Sequence, residues 1–192
     1  METITVTLWD IRKCPEKALK KLDEKGGNTR RNARLNALSG HLMKKLAPNA
    51  TADKFGKPRD KDKFFNLSNS VFFIAYAEAN AEIGVDVEFV RPVPEKLKKY
   101  ISSEEEFALI TSDTAFFKVW TAKESLVKAD GKGIDKAVNK ISALPLCGVK
   151  SYNGKKYFSM VKVFGEVAVS VTREGEAPFC IGIEEGNFDN LI

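Results

Sequence analysis

Hydrophobic and polar residues alternate in several stretches of the chain, and each stretch predicts a β-strand. Residues 2–9 place Ile4, Val6 and Leu8 on one face and threonines on the other. Two further strands are predicted for FFNLSNSVFFIAYA and EIGVDVEFV. The C-terminal stretches KKYFSMVKVF, VAVSVTR and FCIGIEE alternate like antiparallel strands.

Apolar residues recur at helical spacing between these strands. Residues 15–46 carry an apolar stripe beside many basic residues, and Gly26-Gly27-Asn28 is expected to break them into two helices. Another helical region begins with Ser102 or Ser103 as its N-cap, followed by glutamates in the first turn. A further helix is predicted from Thr114 to Ala129, ended by Asp130-Gly131.

Strands and helices recur in both halves of the chain, on either side of a proline-rich seam at residues 91–94. This order predicts an α+β fold with two similar subdomains, residues 1–91 and 92–192, each a small, mostly antiparallel sheet packed with helices. A functional site is expected where the two subdomains meet.

Composition and charge narrow the classes of function. The chain has 192 residues and a formal net charge of +5, but residues 1–63 carry 16 Lys and Arg against 8 Asp and Glu. A basic first half favours a polyanionic ligand or an acidic partner, with nucleic acid and a phosphorylated cofactor as the two candidates. The single histidine makes a zinc site or a Ser-His-Asp triad hard to build.

We expect a cytoplasmic protein with no membrane span. No apolar run approaches the roughly 18 residues that a spanning helix needs. The N-terminus reads as a strand rather than as a secretory signal. The three cysteines lack metal-ligand spacing, and reduced thiols are the simplest account of them.

Two stretches carry candidate chemistry. The strand IGVDVEF places Asp86 and Glu88 on one face, where a cation between them would relieve their repulsion. In the helix VWTAKESLVKADGKG, Glu124 and Lys128 share a stripe with Trp120. A half-exposed strand and an ordinary i,i+4 ion pair explain each stretch separately, whereas together they suit Mg²⁺ bound to a phosphate.

Two weaker signals precede these stretches. Gly56-Lys57-Pro58 forms a turn with a cation at its tip. The segment from Phe65 to Ser70 offers short hydroxyl and amide groups at the head of an apolar strand, where a phosphate could meet them.

The order of the four elements resembles the 4′-phosphopantetheinyl transferase superfamily. GKP, FNLSNS, IGVDVE and FFKVWTAKESLVKADGKG follow one another between Gly56 and Gly133. They are similar to the monomeric type of two fused subdomains that activates peptide synthetases and other carrier proteins. The resemblance implies a pseudo-twofold α+β architecture. It also implies transfer of 4′-phosphopantetheine from coenzyme A to a serine hydroxyl of an acyl or peptidyl carrier protein.

The resemblance also implies roles for individual residues. Asp86, Glu88 and Glu124 would bind Mg²⁺, with Mn²⁺ as an alternative ion, and Glu124 and Lys128 would take part in catalysis. Glu105 would act as general base. The residues implied to bind coenzyme A are Arg34, Lys57, Pro58, Ser68, Asn69, Lys123 and Lys128, with Lys17 or Lys21 assisting Arg34 at the 3′-phosphate. A monomer and a carrier protein with an acidic recognition helix are implied as well.

One position departs from the family pattern. Asn69 stands where the family has the histidine of Ser-His-Ser, and asparagine donates a hydrogen bond but carries no charge. This change motivates a first alternative, a homologue that binds coenzyme A or a carrier protein without turnover. A metal-dependent nuclease or nucleic-acid binder is the second, although we find no glycine-rich or aromatic nucleic-acid module.

Overall fold

A computed structural model describes residues 1–20, 31–133 and 138–188, so the expected helix break at residues 26–28 lies outside the described residues. The strands are β1 (Glu2–Asp10), β2 (Thr51–Ala52), β3 (Pro58–Arg59), β4 (Phe64–Ser70), β5 (Phe73–Ala79), β6 (Ile83–Phe89), β7 (Gly148–Tyr152), β8 (Lys155–Phe164), β9 (Val167–Glu174) and β10 (Phe179–Glu185). The helices are α1 (Arg31–Leu46), α2 (Glu95–Ile101), α3 (Glu104–Leu109) and α4 (Asp113–Asp130), and residues 16–20 are also helical. Two 3₁₀ turns cover Ile11–Lys13 and Val138–Lys140.

The first sheet has the strand order β10-β1-β5-β4. β1 pairs antiparallel with β5, and β5 with β4, but β10 runs parallel to β1, with Glu2 opposite Phe179 and Leu8 opposite Glu185. The expected antiparallel pairing of FCIGIEE is therefore wrong. Alternation reports which face a residue occupies, and it is the same for both strand directions.

The stretch FFNLSNSVFFIAYA forms two strands rather than one. Ser70 pairs with Phe73, so a two-residue turn at Val71 and Phe72 joins β4 to β5. Val71 has φ of 56°, in the left-handed region where β-branched residues are rare. The prediction of a single strand is wrong because this turn contains none of the Gly, Asn or Asp residues that normally mark a tight hairpin.

The second sheet has the order β6-β9-β8-β7, and all of its pairs are antiparallel. The edge strand β7 was not predicted. Two sheets of this kind packed with helices confirm the α+β class. Neither sheet is built from one half of the chain alone. Strand β6 precedes residue 91 but belongs to the second sheet, and β10 follows it but belongs to the first. The division into residues 1–91 and 92–192 stays a prediction.

The two sheets pack face to face between two outer helices. Alternate residues of both sheets form the central core, which includes Val6, Ala75, Val85 and Val169. On the outer face of the first sheet, α1 buries Leu38 and Leu42 completely. Burying side chains of this size contributes about 1.5–3 kcal/mol each. Helix α4 covers the outer face of the second sheet.

The caps of the second-half helices agree with the sequence. The Ser103 side chain accepts a hydrogen bond from Glu106 N, while Glu106 Oε2 accepts from Ser103 N, which completes a capping box at α3. Gly131 ends α4 with φ of 79°, as predicted. In the parts of the chain that the structure describes, no helix combines the length and apolar character needed to cross a bilayer.

Candidate active site

The carboxylates of Asp86 and Glu88 on strand β6 face helix α4. Val85 and Val87 belong to the core between the sheets, so the alternate residues Gly84, Asp86 and Glu88 face the other way. The sequence prediction that Asp86 and Glu88 share one face is confirmed.

Gly84 allows α4 to lie directly against this strand. A Cβ at Gly84 would be 2.0 Å from the carbonyl oxygen of Ser125 and 2.4 Å from the backbone nitrogen of Ala129. Both atoms belong to the helix backbone, which cannot relieve the overlap by a change of rotamer as a side chain could. The glycine of G-x-D-x-E therefore brings Glu124 and Lys128 within reach of Asp86.

Strand β4 supplies a polar row to the same site. β4 and β6 are edge strands of different sheets, and β4 side chains bridge the two. The side-chain oxygen of Asn66 accepts a 2.9 Å hydrogen bond from Val85 N, and Ser68 Oγ donates to Asp86 Oδ1 at 2.8 Å. Ser70 Oγ donates to Glu88 Oε2 at 2.5 Å. The segment FNLSNS thus lies directly beside the acidic strand.

These elements enclose a cavity of about 370 Å³ at the seam between the sheets. Its lining consists of Leu67, Ser68, Asn69, Asp86, Glu88, Trp120, Glu124 and Lys128. The amide nitrogen of Asn69 donates to Ser39 Oγ at 3.0 Å, which ties this wall to α1. Three carboxylates and one ammonium line the cavity, so negative charge is in excess.

Asp86 and Lys128 form an ion pair at the base of this cavity. Lys128 Nζ lies 2.6 Å from Asp86 Oδ1 and 2.7 Å from Ser68 Oγ. The other carboxylate oxygen, Asp86 Oδ2, is buried and has no hydrogen-bond partner among the described residues. Burial raises the pKa of Asp86 in spite of the neighbouring Lys128.

Glu88 and Glu124 differ in their partners. Glu88 accepts hydrogen bonds from the indole nitrogen of Trp120 at 3.3 Å and from Arg91 Nη1 at 3.1 Å, in addition to Ser70. Burial, followed by the nearby Asp86 charge, raises the pKa of Glu124. Ionised Glu124 is therefore poorly compensated by the protein itself.

The donor set fits a divalent cation such as Mg²⁺. Hard carboxylate oxygens face one cavity, and the charge balance there favours a cation. One of these oxygens is buried with no partner in the part of the chain that the structure describes. In their present rotamers, the described residues include no group of three His, Cys, Asp or Glu side chains arranged to hold one ion. In this arrangement Lys128 is paired with one oxygen of Asp86, and Ser70 and Arg91 contact one oxygen of Glu88.

A second cavity of about 310 Å³ shares Leu67, Glu124 and Lys128 with the first. The turn that contains Gly56, Lys57 and Pro58 forms part of its wall. The GKP turn thus borders a space that opens onto the acidic cavity.

Three predicted residues lie elsewhere in the fold. Lys123 is 1% exposed, and its Nζ contacts Glu106 at 2.6 Å and the carbonyl oxygens of Ile101 and Val138. Glu105 is exposed on α3 and does not line the cavity. Arg34 is half-buried on α1, also outside the lining.

The two residues named to assist Arg34 are Lys17 and Lys21. Lys17 is exposed near the N-terminal end of the chain. Lys21 lies outside the described residues.

Sequence reasoning missed the contributions of Gly84, Asn66 and Glu106. The G-x-D-x-E spacing contained the signal for Gly84, because a glycine inside a strand often marks a place where another backbone approaches closely. The alternation of Asn66 with Ser68 and Ser70 indicated a polar face on β4. Glu106 stands three residues after Ser103, the spacing of a capping box, but Glu105 stands at the same spacing from Ser102, so the sequence did not choose between them.

The sequence of this region matches a known protein family. The family model of the 4′-phosphopantetheinyl transferase superfamily matches residues 82–166, which contain Asp86, Glu88, Glu124 and Lys128. Over this stretch, which is less than half of the chain, the sequence is similar to the 4′-phosphopantetheinyl transferase superfamily. The match confirms the resemblance seen in the motifs. The turn at Lys57 and the serines of β4 lie outside it.

Individual relatives agree with the superfamily match. The chain is 33% identical over 94 residues to 4′-phosphopantetheinyl transferase gsp of Aneurinibacillus migulanus, covering 45% of this chain and 40% of the relative. It is 29% identical over 101 residues to 4′-phosphopantetheinyl transferase Sfp of Bacillus subtilis, covering 48% and 45%. The matched part thus spans less than half the length of either relative.

A solved structure of Thermotoga maritima holo-[acyl-carrier-protein] synthase aligns with a TM-score of 0.38 and 20% identity, covering 50% of this chain and 64% of that one.

Proposed function

We propose that this chain transfers the 4′-phosphopantetheine group of coenzyme A to a serine hydroxyl of an acyl or peptidyl carrier protein. The serine oxygen would form a bond to the pantetheine-bearing phosphorus, the pyrophosphate P–O bond would break, and 3′,5′-ADP would leave. The observation that carries the proposal is the meeting of Asp86, Glu88, Glu124 and Lys128 in one cavity within a stretch of this superfamily.

Asp86, Glu88 and Glu124 would hold Mg²⁺ or Mn²⁺. When bound, such an ion neutralises phosphate charge and polarises the phosphorus under attack. Lys128 is the cavity's own cation, and it would stabilise the charge that develops on the departing diphosphate. Its hydrogen bond to Ser68 Oγ shows that the serine of β4 lies within reach of the same group.

Coenzyme A would extend from the acidic cavity into the adjoining one. Pro58 and the backbone of the GKP turn would border its adenine end, and Ser68 and Asn69 would contact phosphate oxygens. Arg34 would meet the 3′-phosphate. Lys123 is proposed by the family pattern as a further contact, but its present buried ion pair does not reach this space.

The remaining parts of the proposal concern the acceptor. Glu105, directly or through water, would take the serine proton, and its exposed place on α3 leaves it open to an approaching protein. The carrier protein would present an acidic recognition helix to this net positive chain. The enzyme would act as a monomer in the cytoplasm.

Transfer from labelled coenzyme A to a panel of apo carrier proteins, with Mg²⁺ present, tests the proposal. Glu124→Gln should lower the rate at least about 100-fold, since it removes one of the proposed metal ligands. Glu104→Gln, an exposed α3 neighbour, is the matched control. An unchanged rate in Glu124→Gln would contradict the metal assignment. Calorimetric binding of coenzyme A without transfer to any carrier would instead support a non-catalytic homologue.

A further inference from the structure

Lys57, the lysine of the GKP turn, directs its ammonium into the protein. The residue is 8% exposed. Its Nζ donates to Glu82 Oε2 at 2.8 Å, to the carbonyl oxygen of Ile83 at 3.1 Å and to that of Ala129 at 3.3 Å. An ammonium has three hydrogens, so all of its donors are used within the chain.

The three acceptors belong to the two elements that build the acidic cavity. Glu82 and Ile83 stand at the start of β6, a few residues before Asp86. Ala129 lies in the last turn of α4, directly after Lys128. One ammonium therefore joins the strand that carries two carboxylates to the helix that carries Glu124, and a cation at this helix end also suits the helix dipole.

Glu82 is held from a second side. Arg59 Nη1 contacts Glu82 Oε1, and Arg59 Nε lies 3.0 Å from Asp53 Oδ2. Asp53 Oδ1 also accepts a 3.0 Å hydrogen bond from Lys57 N, which fixes the turn itself. Both oxygens of Glu82 thus have a cationic partner, and the turn is tied to the cluster through its backbone.

This cluster opposes a role for the Lys57 side chain in ligand binding. To reach a phosphate, the ammonium would have to leave three acceptors and remove one of the two cations that compensate Glu82. Breaking this partly buried ion pair and its two backbone hydrogen bonds is unfavourable, because the Lys57 ammonium is itself buried. The ammonium that faces the adjoining cavities is that of Lys128, which is 28% exposed.

We propose that Lys57 and Glu82 form a brace that positions α4 against β6, and that the Lys57 side chain does not contact coenzyme A. The brace sets the spacing between Asp86 and Glu88 on the strand and Glu124 on the helix. The inference rests on the proposed function only in naming what these carboxylates bind.

The brace is tested without coenzyme A and without turnover. Lys57→Met and Glu82→Gln are compared with Lys61→Met, an exposed lysine close in sequence. Mn²⁺ binding is measured by calorimetry, and amide hydrogen exchange is followed at residues 83–88 and 124–131. Both brace variants should weaken Mn²⁺ binding about 10- to 100-fold, as the loss of outer-shell support does in metal sites. Both should also speed exchange at the two segments, whereas Lys61→Met should change neither.

A direct contact with coenzyme A predicts a different result. Lys57→Met would then weaken binding of coenzyme A, while Mn²⁺ affinity, hydrogen exchange and the behaviour of Glu82→Gln stayed at parental values; that result would overturn the brace. If the parent chain bound no Mn²⁺, the metal assignment in the proposed function would fail, and hydrogen exchange alone would decide the brace. Glu82→Gln keeps the size of the side chain, so it serves where Lys57→Met does not fold.

Discussion

Helix α4 carries two lysines five residues apart whose surroundings differ sharply. Lys123 and Lys128 each lie 2.6 Å from a carboxylate oxygen, yet their side chains are 1% and 28% exposed. Five residues correspond to a rotation of about 140° around the helix, so the two side chains leave it in different directions. One enters the protein interior and the other enters the acidic cavity.

The two ion pairs also differ in how completely they are satisfied. Glu106, the partner of Lys123, is 0% exposed and accepts from Ala143 N at 2.6 Å and Ser103 N at 2.8 Å. Asp86, the partner of Lys128, has one buried oxygen that no described residue contacts by a hydrogen bond. A buried charge whose polar atoms are all paired within the protein stabilises the fold. A buried carboxylate with an unpaired oxygen can still bind a cation or a hydrogen-bond donor from a ligand. The Lys123 pair is therefore part of the buried structure, whereas Lys128 is the lysine that lines the acidic cavity.

The largest effect is expected from breaking the structural pair. Lys123→Met leaves Glu106 buried without its cation, and the free energy of unfolding should fall by about 3–5 kcal/mol. Chemical denaturation measures the change. Lys118→Met, on the same helix and only partly buried, should shift it by less than about 1 kcal/mol.

A double variant separates the charge from the packing. Lys123→Met combined with Glu106→Gln removes both charges and should recover part of the lost stability, because no uncompensated ion remains. Equal stability of Lys123→Met and Lys118→Met would show that the buried pair is not the structural element inferred from it.

A smaller effect is expected where the helix touches the strand. Gly84→Ala places a methyl group against the backbone of α4 and should destabilise the chain by about 1–3 kcal/mol, since the overlap must be relieved by moving the helix. Thermal or chemical unfolding measures this loss. Gly40→Ala in α1 has no neighbour within 4 Å of the new Cβ and should stabilise by about 0.5–1 kcal/mol. The same sign for both substitutions would contradict the close-approach argument.

The smallest effect concerns Lys150, a third lysine near the Glu106 pair. Within the described chain, its buried Nζ has no hydrogen-bond partner, and burial lowers its pKa to about 8. Lys150→Met should therefore stabilise the chain by about 1 kcal/mol at pH 7, where an uncompensated ammonium is buried.

The pH dependence gives this prediction its sign. Between the folded pKa of about 8 and the ordinary lysine value of 10.5, the unfolded chain binds more protons, so the stability of the parent rises with pH. The advantage of Lys150→Met should shrink over that interval in denaturation curves recorded at pH 7 and pH 9.5. The exposed Lys156→Met should show no such trend. A constant difference at both pH values would rule out a buried, titrating Lys150.

Much of the local structure could be read from the residues. The Ser103 cap, the end of α4 at Gly131 and the shared face of Asp86 and Glu88 follow from short-range rules of capping and alternation. The turn at Val71 and the parallel pairing of β10 did not follow. In the first case a β-branched residue adopts a conformation that its own propensity disfavours, and in the second the strand direction depends on a partner far away in the sequence.

The sequence by itself determined the chemical groups of the candidate site and their grouping into an acidic strand and a helix with Glu124 and Lys128. Tertiary structure decided that the ammonium groups of Lys57 and Lys123 pair with carboxylates away from the acidic cavity. Lys57, Lys123 and Lys128 look alike in the motifs, because sequence spacing specifies a direction around a helix or turn but not what lies in that direction. In the folded chain Lys57 pairs with Glu82 and Lys123 pairs with Glu106. Lys128 instead faces a cavity in which negative charge is in excess.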